Sequence, residues 1–205
     1  MHIETIVVGI LETNCYVCVM DNKEALIVDP GAEGDRIINY CRNNKLKVRY
    51  IFNTHGHGDH IGANKPVKDE TRAPICIHSL DKELLVSASK NLSEISGYSI
   101  TSPKADILLE DNQTYIIGNK TLRVLHTPGH THGCVCLIID NALFSGDTLF
   151  RLCIGRTDLP HSSDSEMRSS LSRLKQLDGK PDVYPGHGEI TTLEYEFKNN
   201  PYLLI

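Results

Sequence analysis

Four side chains that can bind a metal ion fall within six consecutive positions in the first third of the chain. They are His55, His57, Asp59 and His60, and glycines lie between them. Glycine permits tight backbone curvature, so neighbouring side chains can converge on one point. Neutral imidazole and carboxylate groups suit Zn²⁺, Fe²⁺ or Mn²⁺. The segment therefore predicts a loop that closes around a metal ion.

Three further corners of the same kind follow along the chain. Each contains glycine, follows an apolar, strand-like run, and carries one strong ligand candidate, namely His130, Asp147 or His187. A ligand placed just after the end of a buried strand is a common way to build a site at one edge of a sheet. Seven candidate ligands from four separate corners therefore predict a site for two metal ions.

The composition limits the class of protein and its partners. A chain of 205 residues can form one sizeable core or two small ones, and 40% hydrophobic and 23% charged residues are ordinary for a globular protein. A net charge of −5 without a basic run argues against nucleic acid as a partner. The sequence contains no apolar stretch of about 18 residues, so we expect no membrane span. No signal peptide is recognisable, and seven scattered cysteines suit buried, reduced thiols, so we expect a cytoplasmic location.

The order of predicted elements runs from strand-rich through helix, strand and helix, and then repeats. This order favours an α/β fold in which two similar halves pack sheet on sheet with helices outside. No low-complexity linker divides the sequence, so we expect a single domain over residues 1–205. The ligand corners would then meet at one edge, between the two halves.

Several segments carry local signals for helices and loops. Residues 80–88 suggest a helix, and residues 89–105, which have no clear period, suggest a loop that lines the entrance of the site. Ser163 with Glu166 forms a capping box at the start of a helix. Thr191 with Glu194 repeats that pattern and predicts the start of a short helix near the C-terminus.

Taken together and in order, these motifs resemble a known family. Residues 54–60, 127–130, 146–148 and 185–187 are similar to the signature of the metallo-β-lactamase-fold hydrolases. Residues 155–158 and 184–188 resemble the short, glyoxalase II-like (hydroxyacylglutathione hydrolase-like) branch. The resemblance covers essentially the whole chain and implies an αβ/βα four-layer sandwich. We expect no counterpart of the C-terminal helical domain with which longer glyoxalase II enzymes bind glutathione.

The resemblance also implies a role for each candidate ligand. His55, His57 and His130 would bind one metal ion, and Asp147 would bridge the two ions. The second ion would be bound by Asp59, His60 and His187. Asp59 would also act in catalysis by orienting a metal-bound hydroxide. Two divalent ions are implied, with zinc as the first expectation and iron or manganese as alternatives.

The implied chemistry is hydrolysis of a small-molecule thioester. Two cations that share a water can lower its pKa from 15.7 toward about 7 and so supply hydroxide at neutral pH. A thiolate with a pKa near 8.5 needs little acid assistance to leave. We therefore expect a glyoxalase II-type thioesterase that converts a substrate like S-lactoylglutathione to a hydroxy acid and a thiol.

Other functions remain open from the sequence. One is a persulfide dioxygenase with a single Fe²⁺ bound by His55, His130 and Asp147. Lactonase or other ester chemistry is another, and a non-catalytic metal-binding scaffold is a third. Antibiotic hydrolysis is not expected, because the second set of ligands includes no cysteine.

Three further residues carry open interpretations. Arg156 and Asp158 form either an ion pair that holds the Asp147 corner or a contact for an anionic group of the substrate, to which a guanidinium is well suited. His132 departs from the usual family pattern. It is either an incidental surface residue or a hydrogen-bond partner of a metal ligand.

Overall fold

The first half of the chain builds a six-stranded sheet. The computed structural model describes residues 1–95 and 97–203. The strands follow one another across the sheet in chain order. The first two neighbouring pairs are antiparallel, and the remaining three neighbouring pairs are parallel. They are β1 (His2–Val8), β2 (Thr13–Val19), β3 (Glu24–Val28), β4 (Lys47–Phe52), β5 (Ile75–His78) and β6 (Ile107–Leu109).

The second half builds another six-stranded sheet and a small hairpin. The strands of this half are β7 (Thr114–Ile117), β8 (Lys120–His126), β9 (Val135–Ile139), β10 (Ala142–Gly146), β11 (Leu149–Phe150), β12 (Cys153–Ile154), β13 (Asp182–Pro185) and β14 (Thr191–Thr192). The sheet has the order β14-β13-β10-β9-β8-β7, and β11 pairs with β12 separately. Only β10 and β13 run parallel to each other.

Helices cover the outer faces of both sheets. They are α1 (Gly34–Asn43), α2 (Gly58–Ile61), α3 (Asn64–Thr71), α4 (Asp164–Lys175) and α5 (Leu193–Asn199). One buried cluster joins α1 and α3 to the first sheet, and another joins α4 and α5 to the second. A third cluster, which includes Phe52 and Phe144, fills the space between the sheets. The layers are therefore helix, sheet, sheet and helix, which confirms the predicted fold class.

Burial on both faces explains the sequence of the central strands. In β2, Cys15 and Val17 pack toward the first helical layer, whereas Tyr16 and Cys18 pack between the sheets. A strand that is covered on both faces contains a continuous apolar run instead of an alternating pattern. Burial of these runs provides most of the driving force for folding.

The helix predicted over residues 80–88 is wrong. A single turn of 3-10 helix (Ser79–Asp81) is followed by irregular turns. The carboxylate of Asp81 points inward and accepts hydrogen bonds from the backbone N–H groups of Gly56 and Gly133. The side chain of His78 accepts from the backbone N–H of Leu80. Such side-chain to backbone bonds compete with regular helix.

One of the two predicted helix starts is confirmed, and the other is displaced by one residue. The hydroxyl of Ser163 accepts a hydrogen bond from the backbone N–H of Glu166 at 3.3 Å. At α5 the cap is Thr192, not Thr191, and Thr192 accepts from the N–H of Tyr195 at 3.1 Å. Thr191 instead donates its hydroxyl proton to the buried carboxylate of Glu196. Tertiary burial of that carboxylate decides which threonine caps the helix.

Membrane insertion through a helix finds no support in the described residues. Among them, no helix combines the length and the apolar character that a bilayer crossing requires.

Candidate metal centre

The four ligand corners meet at one edge, between the two sheets. The loop that follows β4 carries His55 and His57 and passes directly into α2, which carries Asp59 and His60. The β8–β9 connection, the end of β10 and the end of β13 supply the other three candidates, which are His130, Asp147 and His187. All seven predicted ligands are thus brought together, although their roles as ligands stay predictions.

Three histidines form the first group of possible ligands. The Nε2 atom of His55 lies 3.1 Å from Nδ1 of His57, which lies 2.9 Å from Nε2 of His130. The ligand atoms of all three lie within 4.8 Å of one another, and all three residues are buried. This is the group that the family resemblance predicted for one metal ion.

Asp59, His60 and His187 form the second group. The Nε2 atoms of His60 and His187 are 3.3 Å apart, and Oδ2 of Asp59 lies 3.2 Å from Nε2 of His187. The hydroxyl of Thr13 donates to the same Asp59 oxygen at 3.1 Å. This group is more open than the first, because Asp59 and His187 are only partly buried.

Asp147 lies between the two groups. Its carboxylate oxygens are 3.4 Å from Nε2 of His130, 3.5 Å from Nε2 of His60 and 3.6 Å from Nε2 of His187. Oδ1 of Asp147 is buried and has no hydrogen-bond partner among the described residues. A carboxylate in contact with both groups is in the position that a bridging ligand requires.

Backbone carbonyls fix the orientation of two of the rings. Nδ1 of His130 lies 3.0 Å from the carbonyl oxygen of Arg156, and Nδ1 of His187 lies 2.9 Å from that of Leu11. A carbonyl oxygen can only accept, so each Nδ1 must carry the proton and donate it. Each Nε2 is then directed at the centre, as in metal sites where a second group orients the ligand.

Asp29 orients the site, although its role was not predicted from the sequence. Its buried carboxylate accepts hydrogen bonds from the backbone N–H of Thr54 at 2.7 Å, from the Thr54 hydroxyl at 2.6 Å and from Nδ1 of His60 at 3.0 Å. The only local signal is a carboxylate at the end of β3, just before Pro30 and Gly31. Its partners lie 25 or more positions away, so spacing alone could not reveal the role.

Asp81 joins two of the ligand corners and was also missed. It accepts from Gly56, which lies between His55 and His57, at 2.9 Å. It also accepts from Gly133 at 2.8 Å and from the Thr131 hydroxyl at 2.7 Å, both beside His130. One buried carboxylate therefore holds both loops of the first group. Burial raises its pKa, whereas these hydrogen bonds act to lower it.

The protonation states differ between the two groups. Burial lowers the pKa of His55 and, together with the nearby His130, lowers that of His57 to about 3. Burial would also lower the pKa of His60, but the carboxylates of Asp59, Asp147 and Asp29 outweigh it and raise the value to about 10. His55 and His57 therefore present neutral rings with free lone pairs, whereas His60 is a protonated imidazole among carboxylates.

These observations fit divalent metal ions. Within the described part of the chain, ring nitrogens 2.9–3.3 Å apart face one another without a common acceptor, and a buried carboxylate oxygen is left without a donor. A cation between them would satisfy both the lone pairs and the carboxylate charge. Imidazole and carboxylate ligands suit zinc, iron or manganese, so the donor set does not identify the metal.

Close packing keeps the centre small. A Cβ atom at Gly186 would approach Asp147 and Cε1 of His60 at less than normal contact distance. The Nδ2 atom of Asn14 donates to the carbonyls of Pro185 and Gly188, both at 3.0 Å. Asn14 thereby ties the corner that carries His187 to the opposite half of the molecule.

Arg156 and Asp158 form an ion pair at the surface. The guanidinium donates two hydrogen bonds of 2.9 Å to the Asp158 carboxylate, and both side chains are about two-thirds exposed. The contact with the centre is made by the backbone carbonyl of Arg156, not by its charge. His132 pairs with Glu166 of α4 at 3.0 Å, on the surface.

Residues 8–187 match the model of the metallo-beta-lactamase superfamily, and the chain belongs to that superfamily. It is 36% identical to "Probable metallo-hydrolase YqgX" of Bacillus subtilis over 96% of this chain and 94% of that protein. It is 31% identical to "Hydroxyacylglutathione hydrolase GloC" of Haemophilus influenzae over 99% and 98% of the two chains.

Two solved structures share the fold throughout. The crystal structure of the BLEG-1 B3 metallo-beta-lactamase matches with a TM-score of 0.94 and 37% identity over 98% of this chain and 99% of that one. The crystal structure of TTHA1623 in a di-iron-bound form matches with a TM-score of 0.87 and 33% identity over 98% and 100%. The superfamily and the His/Asp cluster together identify a metal-dependent hydrolase.

Proposed function

We propose that this metal-dependent hydrolase is a thioesterase of the glyoxalase II type with two metal ions. The observation that carries the proposal is the position of Asp147 between two groups of three possible ligands, beside an open cavity. The resemblance of the motif set and the 31% identity to a hydroxyacylglutathione hydrolase support the choice of thioesters.

The chain's own residues would share the work as follows. One ion would be held by His55, His57 and His130. The other would be held by Asp59, His60 and His187, and Asp147 would contact both ions. When bound, such ions lower the pKa of a water and polarise a carbonyl. Asp59 is partly exposed, lines the cavity and is held by the Thr13 hydroxyl, so it is placed to orient the attacking hydroxide.

A thioester leaving group fits the polar groups that the cavity provides. Apart from the metal-binding residues, its described polar side chains are Thr13, Asn91, Ser93, Tyr98 and Arg156. A thiolate needs little proton donation, whereas an amide nitrogen needs a positioned acid. Thioester cleavage therefore places the least demand on groups other than the ions and Asp59.

The test is thiol release by protein loaded in turn with zinc, iron and manganese. S-lactoylglutathione and thioesters of other thiols are offered, with Asp59→Asn as the inactive variant and Asp35→Asn, on the exposed face of α1, as the matched control. Thiol release that depends on metal and on Asp59 supports the proposal. No release from any thioester with any metal would refute it.

Hydrolysis of a β-lactam is a second candidate, because the neighbour of 37% identity is titled a B3 metallo-beta-lactamase. A chromogenic β-lactam in the same assay separates the two activities. Oxygen consumption with a persulfide, together with the metal content, tests the dioxygenase alternative, which requires one iron per chain.

A further inference from the structure

The cavity beside the candidate metal centre has a polar floor and an apolar wall. It encloses about 500 Å³, within the range of small-molecule sites. Its floor includes His57, Asp59 and His187, and its wall is made mainly of aliphatic and aromatic side chains. Substrate that reaches the centre must pass along this wall.

Two separate segments supply most of the wall. The β1–β2 turn contributes Ile10 and Leu11, which are 72% and 52% exposed. A second segment, residues 91–95 and 97–100, contributes Ile95 and Tyr98, which are 76% and 50% exposed, together with Ile100. Large apolar side chains concentrated at the mouth of a cavity are characteristic of a binding surface.

Buried hydrogen bonds hold the second segment in place. The side chain of Asn91 is buried and donates to the carbonyls of Leu84 and Ile100, at 3.1 Å and 2.9 Å. The carbonyl of Asn91 accepts from the N–H of Gly58, the residue between His57 and Asp59. The wall is thus anchored directly to the ligand-bearing loop.

The charges of the wall do not match glutathione. That tripeptide carries two carboxylates and an ammonium group. Among the described residues that line the cavity, Arg156 is the only lysine or arginine, and its guanidinium is already paired with Asp158 through two hydrogen bonds. A free cation for the tripeptide's carboxylates is therefore lacking along the described wall.

We infer that the substrate carries a hydrocarbon group, on the acyl side or the thiol side of the reacting bond, and that this group lies along the Ile10, Leu11, Ile95 and Tyr98 wall. The inference rests on the proposed thioesterase function and narrows its substrate class. Each buried methylene contributes about 0.8 kcal/mol, or roughly a fourfold gain in binding.

Two substrate series distinguish the acyl side from the thiol side. In one, acetyl, butyryl, hexanoyl and octanoyl groups are carried by the same short thiol. In the other, acetyl is carried by alkanethiols of increasing length. We expect kcat/KM to rise tenfold or more along one series. Rates that stay level or fall along both series, with S-lactoylglutathione the better substrate, would overturn the inference while leaving thioester hydrolysis intact.

A matched pair of variants tests where the hydrocarbon group of the substrate lies. Ile95→Ser removes an apolar side chain of the wall and should flatten the dependence on chain length. Ile116→Ser removes an equally exposed isoleucine, 71% accessible, from β7 outside the cavity and should leave that dependence unchanged. Equal slopes in both variants would contradict the proposed location.

A binding measurement separates the inference from the chemistry. Calorimetry with metal-loaded protein compares octanoate with acetate, which share a carboxylate and differ in the hydrocarbon chain. We expect octanoate to bind at least tenfold more tightly, with a negative heat-capacity change, and Ile95→Ser to remove the difference. Equal affinities would overturn the inference even if no thioester is hydrolysed.

Discussion

Asp29 accepts a hydrogen bond from Nδ1 of His60 at 3.0 Å, and both side chains are buried. With Nδ1 of His60 held by this contact, its Nε2 atom faces Asp59, Asp147 and His187. The contact joins the end of β3 to α2. It makes Asp29 a positioning residue for the second group of candidate ligands.

We expect Asp29→Asn to weaken metal binding at the second group. Loss of a carboxylate that orients a ligand histidine typically lowers metal affinity by roughly 10- to 100-fold. Competition with a chromogenic chelator would measure the change, and Asp35→Asn on the exposed face of α1 is the matched control. Unchanged affinity at both metal equivalents would show that Asp29 serves only the fold.

Asp81→Asn should affect the first group instead. Asparagine keeps one acceptor oxygen and replaces the other with an NH2 group. It therefore cannot accept from all three donors, which are Gly56, Gly133 and Thr131. A buried donor without a partner costs about 1–3 kcal/mol, and we expect that loss in the free energy of unfolding of the metal-free protein. Urea denaturation measures it, with Asp69→Asn on α3 as the exposed control.

The metal titration of the same variant provides a second readout. Weaker binding should appear at the metal equivalent bound by His55, His57 and His130, whereas in Asp29→Asn it should appear at the other equivalent. If both variants weakened the same equivalent, the division into two groups would be wrong.

Metal binding at the second group should release more protons than binding at the first. Near pH 7 His57 is neutral, because its pKa is lowered to about 3, whereas His60 is protonated, because its pKa is raised to about 10. A metal ion must therefore displace a proton from His60. Affinity at the second group should rise with pH up to about 10.

Calorimetry in buffers of different ionisation enthalpy measures these protons. We expect at least about one more proton released at the second equivalent than at the first. In the metal-free protein the pH dependence runs the other way. The raised pKa of His60 stabilises the folded state most fully below the ordinary value of about 6.5. That contribution should disappear as the pH rises through 10. Equal proton release in both steps would contradict the assignment.

One thiol of the seven should react in the native protein. Six cysteines are buried, and burial raises the pKa of their thiols, whereas Cys153 is exposed. A disulfide reagent should therefore label one group rapidly in the native state and seven in denaturant. Cys153→Ser should remove the fast reaction. A second fast thiol would show that a buried cysteine becomes accessible through local opening.

Much of the fold followed from the local pattern of the chain. Apolar runs predicted most strands of the two sheets, although not the short β14, and Ser163 with Glu166 correctly marked the start of α4. The helix predicted over residues 80–88 failed, because Asp81 uses its carboxylate on loops that are distant in the sequence. Thr191 failed as a cap for a similar reason, since it bonds the buried Glu196.

The sequence by itself determined the fold class and the set of candidate ligands, because His55 to His60 and the later corners at His130, Asp147 and His187 are local motifs that follow strands. Only the tertiary structure decided how the ligands are oriented and what surrounds them. Asp29 and Asp81 accept hydrogen bonds from residues 25 or more positions away in the sequence, and the apolar wall brings Ile10 and Ile95 together. Such contacts depend on chain packing, which no local pattern encodes.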